Sequence, residues 1–173
     1  MKVTTDSCLF GAWVARWLSL HMRAGNALDI GAGTGLLSLM IAQKTDLHIN
    51  AIEIDSHAAE QARENIQASA FAEQIHLIKG DILQESLPDA PYAVIFSNPP
   101  FYENDMVSPD AQKNKAHHHT GLRLPDLIKK AESLQVDGGL LFLLLPARRL
   151  SEIKSLLQLH HMQLESILHV HQT

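Results

Sequence analysis

The sequence predicts an α/β fold with a mostly parallel central sheet and helices on both faces. Three observations carry that expectation. Strand-like apolar runs alternate with amphipathic helical runs along the chain. The strand runs are mostly apolar throughout, as in sheets covered on both sides, rather than alternating apolar with polar. A glycine-rich turn joins one of these strands to the helix after it.

The elements follow in order. Leu9, Trp13, Trp17 and Leu20 recur at helical spacing and predict a helix over "SCLFGAWVARWLSL". "NALDIG" reads as a strand ending in glycine, and "GLLSLMIAQK" as the next helix. "HINAIEID" is a strand, followed by a helix over "SHAAEQARENIQAS" with Ser56 as its expected cap. "QIHLIKGD" and "YAVIFSNPP" are two more strands. "LPDLIKKAESLQ" is a helix, "GGLLFLLLP" a strand, "RLSEIKSLLQLH" a helix and "LESILHV" a last strand. One connection is out of proportion. From Phe101 to about Leu122 there is little periodicity and much Asn, Asp, Lys, His and Pro. Connections that long are often lids or binding loops, and a mobile lid is expected here.

Composition narrows the function. The chain has 173 residues, 46% apolar and 19% charged, which suits one domain with a full core and excludes a disordered chain. No apolar run is long enough to cross a bilayer, the N-terminus lacks a secretory signal pattern, and Cys8 is the single cysteine. A cytoplasmic protein with no membrane partner is expected. The net charge of −5 means that a nucleic acid would need a local basic patch. Lys113, Lys115, Arg123, Lys129, Lys130, Arg148 and Arg149 are the candidates, and scattered solvated side chains are the alternative reading.

The glycine turn is the first chemical signal. "LDIGAGTGLL" spaces Gly31, Gly33 and Gly35 as G-x-G-x-G. The dinucleotide fingerprint would need glycine at position 36, which is Leu36. Glycines here permit a tight turn and close approach of a ligand to the backbone, although such turns also occur for structural reasons alone. The next strand ends in "AIEID". A carboxylate there, about 20 residues after the glycines, is placed to accept hydrogen bonds from ribose hydroxyls. Glu53 fits that role better than Asp55, which suits a helix start; an ordinary strand-end or cap carboxylate is the alternative for Glu53. The third strand ends in "KGDI", where Asp81 is placed for an adenine amino group and Ile82 for its ring; a turn aspartate is the alternative.

In this order, "LDIGAGTG", "AIEID", "KGDI" and "SNPPF", the chain resembles the S-adenosylmethionine-dependent methyltransferases of the Rossmann-like class. The resemblance covers nearly the whole chain. It implies S-adenosylmethionine as cofactor, with contacts at Asp29, Gly31, Gly33, Gly35, Glu53, Ile54, Asp81, Ile82 and Asn98. It also places Thr5 and Asp6 near the methionine part of the cofactor, with an N-cap before the first helix as the alternative.

In that class an (N/D/S)-P-P-(Y/F) motif marks methylation of a planar nitrogen, here Asn98, Pro99, Pro100 and Phe101. Such a nitrogen is a poor nucleophile because its lone pair is delocalised. The Asn98 side-chain oxygen and the Pro99 carbonyl can accept its two N–H groups and aim the lone pair at the methyl. The prolines hold that acceptor rigid. Phe101 offers a ring on which an extruded base can stack.

The closer resemblance is to the bacterial tRNA adenine-N6 methyltransferases that modify adenosine 37 of tRNA-Val. It is carried by "MKVTTD", "LFGAW", "LDIGAGTGLLSLMIAQ", "AAEQARENIQAS" and "SNPPF". It implies a tRNA substrate, and one domain over residues 1–173 shortened at both ends relative to the family. N5 methylation of a protein glutamine and N2 methylation of an rRNA guanine use the same motif and stay as alternatives, as does a non-catalytic nucleotide-binding module. No metal is expected. His117, His118 and His119 are consecutive and cannot easily converge on one ion. His169 and His171 would share a strand face without a third ligand.

Overall fold

The computed structural model describes residues 3–99 and 122–171. Its elements are α1 (Thr5–His21), β1 (Ala24–Ile30), α2 (Leu36–Ala42), β2 (Asp46–Glu53), α3 (Ser56–Gln67), β3 (Ile75–Lys79) and β4 (Tyr92–Ser97). After these come α4 (Leu124–Leu134), β5 (Gln135–Leu143), a short 3-10 turn (Ala147–Arg149) and α5 (Leu150–Leu159).

The five strands form one sheet in the order β3-β2-β1-β4-β5, and every neighbouring pair is parallel. Burial on both faces explains why these runs are apolar at successive positions. In β1 and β4, Ala27, Val94 and Phe96 pack on one face, and Leu28 and Ile95 on the other. The first face is covered by α1, α2 and α3, through Phe10, Val14, Leu18, Leu37, Ile41 and Ile66. The second is covered by α4 and α5, through Leu127, Ile128, Ile153 and Leu157. Trp13 and Trp17 meet Phe142 edge-on, at 5.7 and 5.5 Å between ring centroids, which ties α1 to the β5 side. A Cβ at Gly11 would stand 2.6 Å from Met40 Sδ, so the glycine lets α1 close onto α2.

Three expectations need correction. The cap of α3 is Asp55, whose carboxylate accepts from Ala58 N at 2.8 Å; Ser56 is the first helical residue. The extended backbone of Asp55 puts its side chain over the first turn, where an acceptor is needed. The cap of α1 is Thr4, which accepts from Ser7 N, and Thr5 is already helical. The run "LESILHV" forms no strand. Leu164, Ile167, Leu168 and Val170 are exposed, and among the described residues no strand lies alongside to take up the backbone groups. His169 and His171 therefore share no strand face, although their rings stack at 6.4 Å.

Candidate functional site

In this strand order the chain runs outward from β1 to β3 on one side and from β4 to β5 on the other. Open α/β sheets bind ligands beyond the carboxyl ends of the strands at that reversal. Register brings the sequence motifs together there. Ile30 pairs with Ile52 on one side and with Ser97 on the other. Gly31 thus stands level with Glu53 and Asn98, which flank it two strand spacings apart, roughly 10 Å. Ser97 Oγ donates to Ile30 O at 2.6 Å and locks the ends of β1 and β4 together.

The glycine turn is left-handed at all three glycines, with φ of 74° at Gly31, 59° at Gly33 and 80° at Gly35. A Cβ added at Gly31 would meet nothing within 4 Å, so the turn presents bare backbone to open space. Glu53 closes the turn from the side. Its carboxylate accepts from Gly33 N at 2.7 Å and from Asp55 N at 2.8 Å, and the residue is only 7% exposed. Each oxygen keeps a lone pair for a further donor. Ile54, next in the chain, is an exposed apolar side chain at the same edge.

Asp29 lies under the turn, fully buried. Ser38 Oγ donates to its Oδ2 at 2.7 Å, while Oδ1 has no partner among the described residues. Burial pushes the Asp29 carboxyl up to about 7, against the lowering effect of hydrogen bonds from Ser38; the Glu53 charge adds to the rise. A buried orphan acceptor beneath a bare glycine cradle suits a ligand that brings donors or positive charge. The residues present therefore fit a nucleoside ligand with a cationic tail.

Asn98 follows β4 directly and is half-buried, and Pro99 beyond it is buried. Asn98 Nδ2 donates to Ser7 Oγ, on the first turn of α1, at 2.8 Å. Thr5 and Asp6 belong to that same turn, so the structure brings the "TTDS" segment to the acceptor motif. Pro100, Phe101, His117 to Thr120 and the expected lid up to Gly121 lie outside the described residues. Asp81 is placed otherwise than an adenine ligand alone would require: its Oδ1 accepts from Leu83 N and its Oδ2 from Gln84 Nε2, so both oxygens hold a turn. Ile82 is 6% exposed and packs in the core with Leu28 and Ile52.

Several contributors were invisible in the sequence. Ser7 and Ser38 carry no motif signal, since each acts on a residue from another element. Other features lie away from this edge. A groove of about 410 Å³ lined by Asn26, His48, Asn50, His76 and Asp89 sits near the entry ends of the strands and is polar. Among the described residues no group of three or more His, Cys, Asp or Glu is arranged to hold a metal ion. Of the candidate basic residues, Arg123 pairs with Asp126 at 2.7 Å and Arg149 with Glu152 at 2.8 Å, while Lys113 and Lys115 lie outside the described residues. No helix among the described residues is long and apolar enough to cross a membrane.

The family model "Methyltransferase small domain" matches residues 14–168. The tRNA1(Val) (adenine(37)-N6)-methyltransferase of Dyadobacter fermentans is 44% identical over 147 residues, which is 84% of this chain and 59% of that protein. The chain thus spans about 60% of the length of the curated relatives it matches. Among solved structures, precorrin-6y C5,15-methyltransferase from Geobacter metallireducens superposes with a TM-score of 0.61 at 16% identity, covering 90% of this chain and 70% of that one. The glycopeptide N-methyltransferase MtfA, solved with S-adenosylmethionine bound, superposes with a TM-score of 0.55 at 16% identity, covering 77% and 49%.

Proposed function

We propose that this chain, which belongs to the methyltransferase small domain family, is the catalytic core of an S-adenosylmethionine-dependent N-methyltransferase. Its substrate is the N6 amino group of an adenine in tRNA, at position 37 of tRNA-Val. Such work places it in the cytoplasm, with no metal in the reaction and with residues 1–173 acting as one unit. The observation that supports this most directly is the row formed by Glu53, the Gly31 turn and Asn98 along one edge of the sheet. A relative 44% identical that bears the name of this activity supports the choice of substrate.

S-adenosylmethionine, when bound, supplies an electrophilic methyl on a positively charged sulfur. The bare backbone at Gly31 would admit it, and Glu53 would accept from ribose hydroxyls with the lone pairs left by Gly33 and Asp55. Asp29 supplies negative charge below the turn when it ionises. Ile54, and Ile82 at its exposed margin, offer apolar contact to the adenine, and Thr5 and Asp6 border the methionine end. Asp81 reaches an adenine amino group only if its turn contacts are shared.

At the other side of the turn, Asn98 Oδ1 and the Pro99 carbonyl accept the two N–H groups of the substrate amine. That orients the nitrogen lone pair and favours a tetrahedral nitrogen before any proton leaves. The second N–H stays hydrogen-bonded until the new cationic amine releases a proton to water, so no strong base is needed. By residue type, the proline at 100 suits a rigid acceptor segment and the phenylalanine at 101 offers a ring for an extruded base.

The test is methyl transfer by the full-length protein to an unmodified tRNA-Val transcript, followed by nucleoside analysis. Asn98→Ala should lower kcat about 10²–10³-fold with S-adenosylmethionine affinity within a few-fold, and Asn98→Asp should retain part of the rate. An Asn98→Ala protein working at the parent rate refutes the mechanism. Label found on a guanine N2 or a protein glutamine refutes the substrate.

A further inference from the structure

We infer that Ser7 is a positioning residue for the acceptor amide: its hydroxyl sets which way the Asn98 carboxamide faces and so keeps Oδ1 turned to the substrate. The inference rests on the reaction proposed at Asn98. The two residues are 91 positions apart in sequence, and their contact joins α1 to the end of β4. Among the described residues Oδ1 of Asn98 accepts no hydrogen bond.

A carboxamide has a donor end and an acceptor end of almost the same shape, so a half-buried asparagine needs a partner that tells them apart. An acceptor built to hold an amine must not present its own NH₂. Ser7 makes this distinction when its single proton is directed to Thr4 Oγ1, one of the two senses open to that hydroxyl pair. Thr4 Oγ1 caps α1 by accepting from Ser7 N at 3.2 Å, and lies 2.8 Å from Ser7 Oγ. With the Ser7 proton directed to Thr4, a Ser7 lone pair faces Asn98, and that lone pair calls for Nδ2. The chain then runs from Asn98 Nδ2 to Ser7 Oγ to Thr4 Oγ1, and Oδ1 is left for the substrate.

Ser7 is held firmly enough to do this. It sits on the first turn of a helix whose Phe10, Val14 and Leu18 are buried in the core. Removing the hydroxyl leaves that packing intact, and alanine is a good helix former. The cap keeps its acceptor at Thr4, so Ser7→Ala should fold.

The experiment uses the full-length protein with two independent readouts. In protein carrying ¹⁵N-asparagine, the Asn98 side-chain NH₂ signals are identified by their loss in Asn98→Ala. Slow hydrogen exchange of one NH₂ proton in the parent, and loss of that protection in Ser7→Ala, is the expected result; identical exchange in the two proteins overturns the inference. In the tRNA-Val assay, Ser7→Ala should lower kcat roughly 3- to 10-fold, the scale of one neutral hydrogen bond, with KM and S-adenosylmethionine affinity little changed. Ser7→Thr, which returns the hydroxyl, should recover most of that loss. In an Asn98→Ala background Ser7→Ala should have no further effect on kcat. A Ser7→Ala protein with parental kcat, while Asn98→Ala is slow, overturns the role of Ser7 and spares the reaction. An Asn98→Ala protein with parental kcat overturns the reaction, and the exchange data still judge the contact.

Discussion

Replacing Asp29 by Asn should remove a large part of the pH dependence of stability. Asp29 is fully buried, with Ser38 donating to Oδ2 at 2.7 Å and Oδ1 without a partner among the described residues. Burial raises its carboxyl from 3.8 to about 7, despite the opposing Ser38 hydrogen bonds. The sign follows from proton counting. In the unfolded chain the group releases its proton from about pH 4 upward; in the folded protein it holds the proton until about pH 7. Across that window the folded state binds more protons, so stability falls as pH rises. One pKa unit is about 1.36 kcal/mol, so three units amount to about 4 kcal/mol, of which about 2–3 kcal/mol is lost between roughly pH 5 and pH 8. Asn cannot ionise but keeps an oxygen for Ser38.

Urea unfolding of parent and Asp29→Asn at both pH values measures this. Subtracting the change in the variant from the change in the parent removes the histidines and every other titrating group. A difference of about 2–3 kcal/mol is expected, with the parent losing more stability on the alkaline side. Equal losses, within about 0.5 kcal/mol, would show that Asp29 does not keep its proton in the folded protein.

Two further predictions concern the cofactor edge. Glu53→Ala should weaken S-adenosylmethionine binding by about 1–3 kcal/mol in calorimetry and also lower the Tm, because Gly33 N and Asp55 N lose their acceptor. Unchanged binding, or heat with NAD and none with S-adenosylmethionine, counts against the cofactor assignment. Gly31→Ala should cost about 1–2 kcal/mol of stability from the φ of 74° and no more, since its Cβ meets nothing within 4 Å. The same methyl group fills the cradle, so S-adenosylmethionine affinity should fall more than the stability does; affinity at the parent level would show that the ligand passes elsewhere.

The alternation of strands and helices was legible because burial on both faces makes each parallel strand apolar along its length. The glycine turn and the Asn98-Pro99 strand end were legible too, because each is a local pattern. The sequence marks Asp55 as a helix-start residue but points to Ser56 as the cap, one position late: both side chains can cap, and only the extended backbone of Asp55 separates them. "LESILHV" has strand composition without a neighbour among the described residues, and composition alone cannot report pairing. At Asp81 the alternative of a turn aspartate describes its visible contacts, Leu83 N and Gln84 Nε2. For Glu53 the sequence favours a ligand role over an ordinary strand-end or cap carboxylate; its contacts with Gly33 N and Asp55 N show that it also braces the turn.

The contacts that brace the site escape the sequence for one cause. Each polar group at the edge is held by a partner from a neighbouring element: Asp29 of β1 by Ser38 of α2, Glu53 of β2 by Gly33 of the turn, Asn98 after β4 by Ser7 of α1. A motif is a local pattern, because the chemistry that needs it is local. Its support is set by strand order and helix packing, which bring together residues 9, 20 and 91 positions apart. No spacing rule relates such pairs, so serine, the residue with least signal in a sequence, supplies two of the three supports. A small hydroxyl suits that position physically. It offers a donor and an acceptor on a short side chain, adds little entropy cost, and can hold a neighbour's proton pattern without competing for the ligand. Substitutions at Ser7 and Ser38 should therefore act on the groups they hold, through orientation at Asn98 and through proton affinity at Asp29, while the sheet that carries both stays in place.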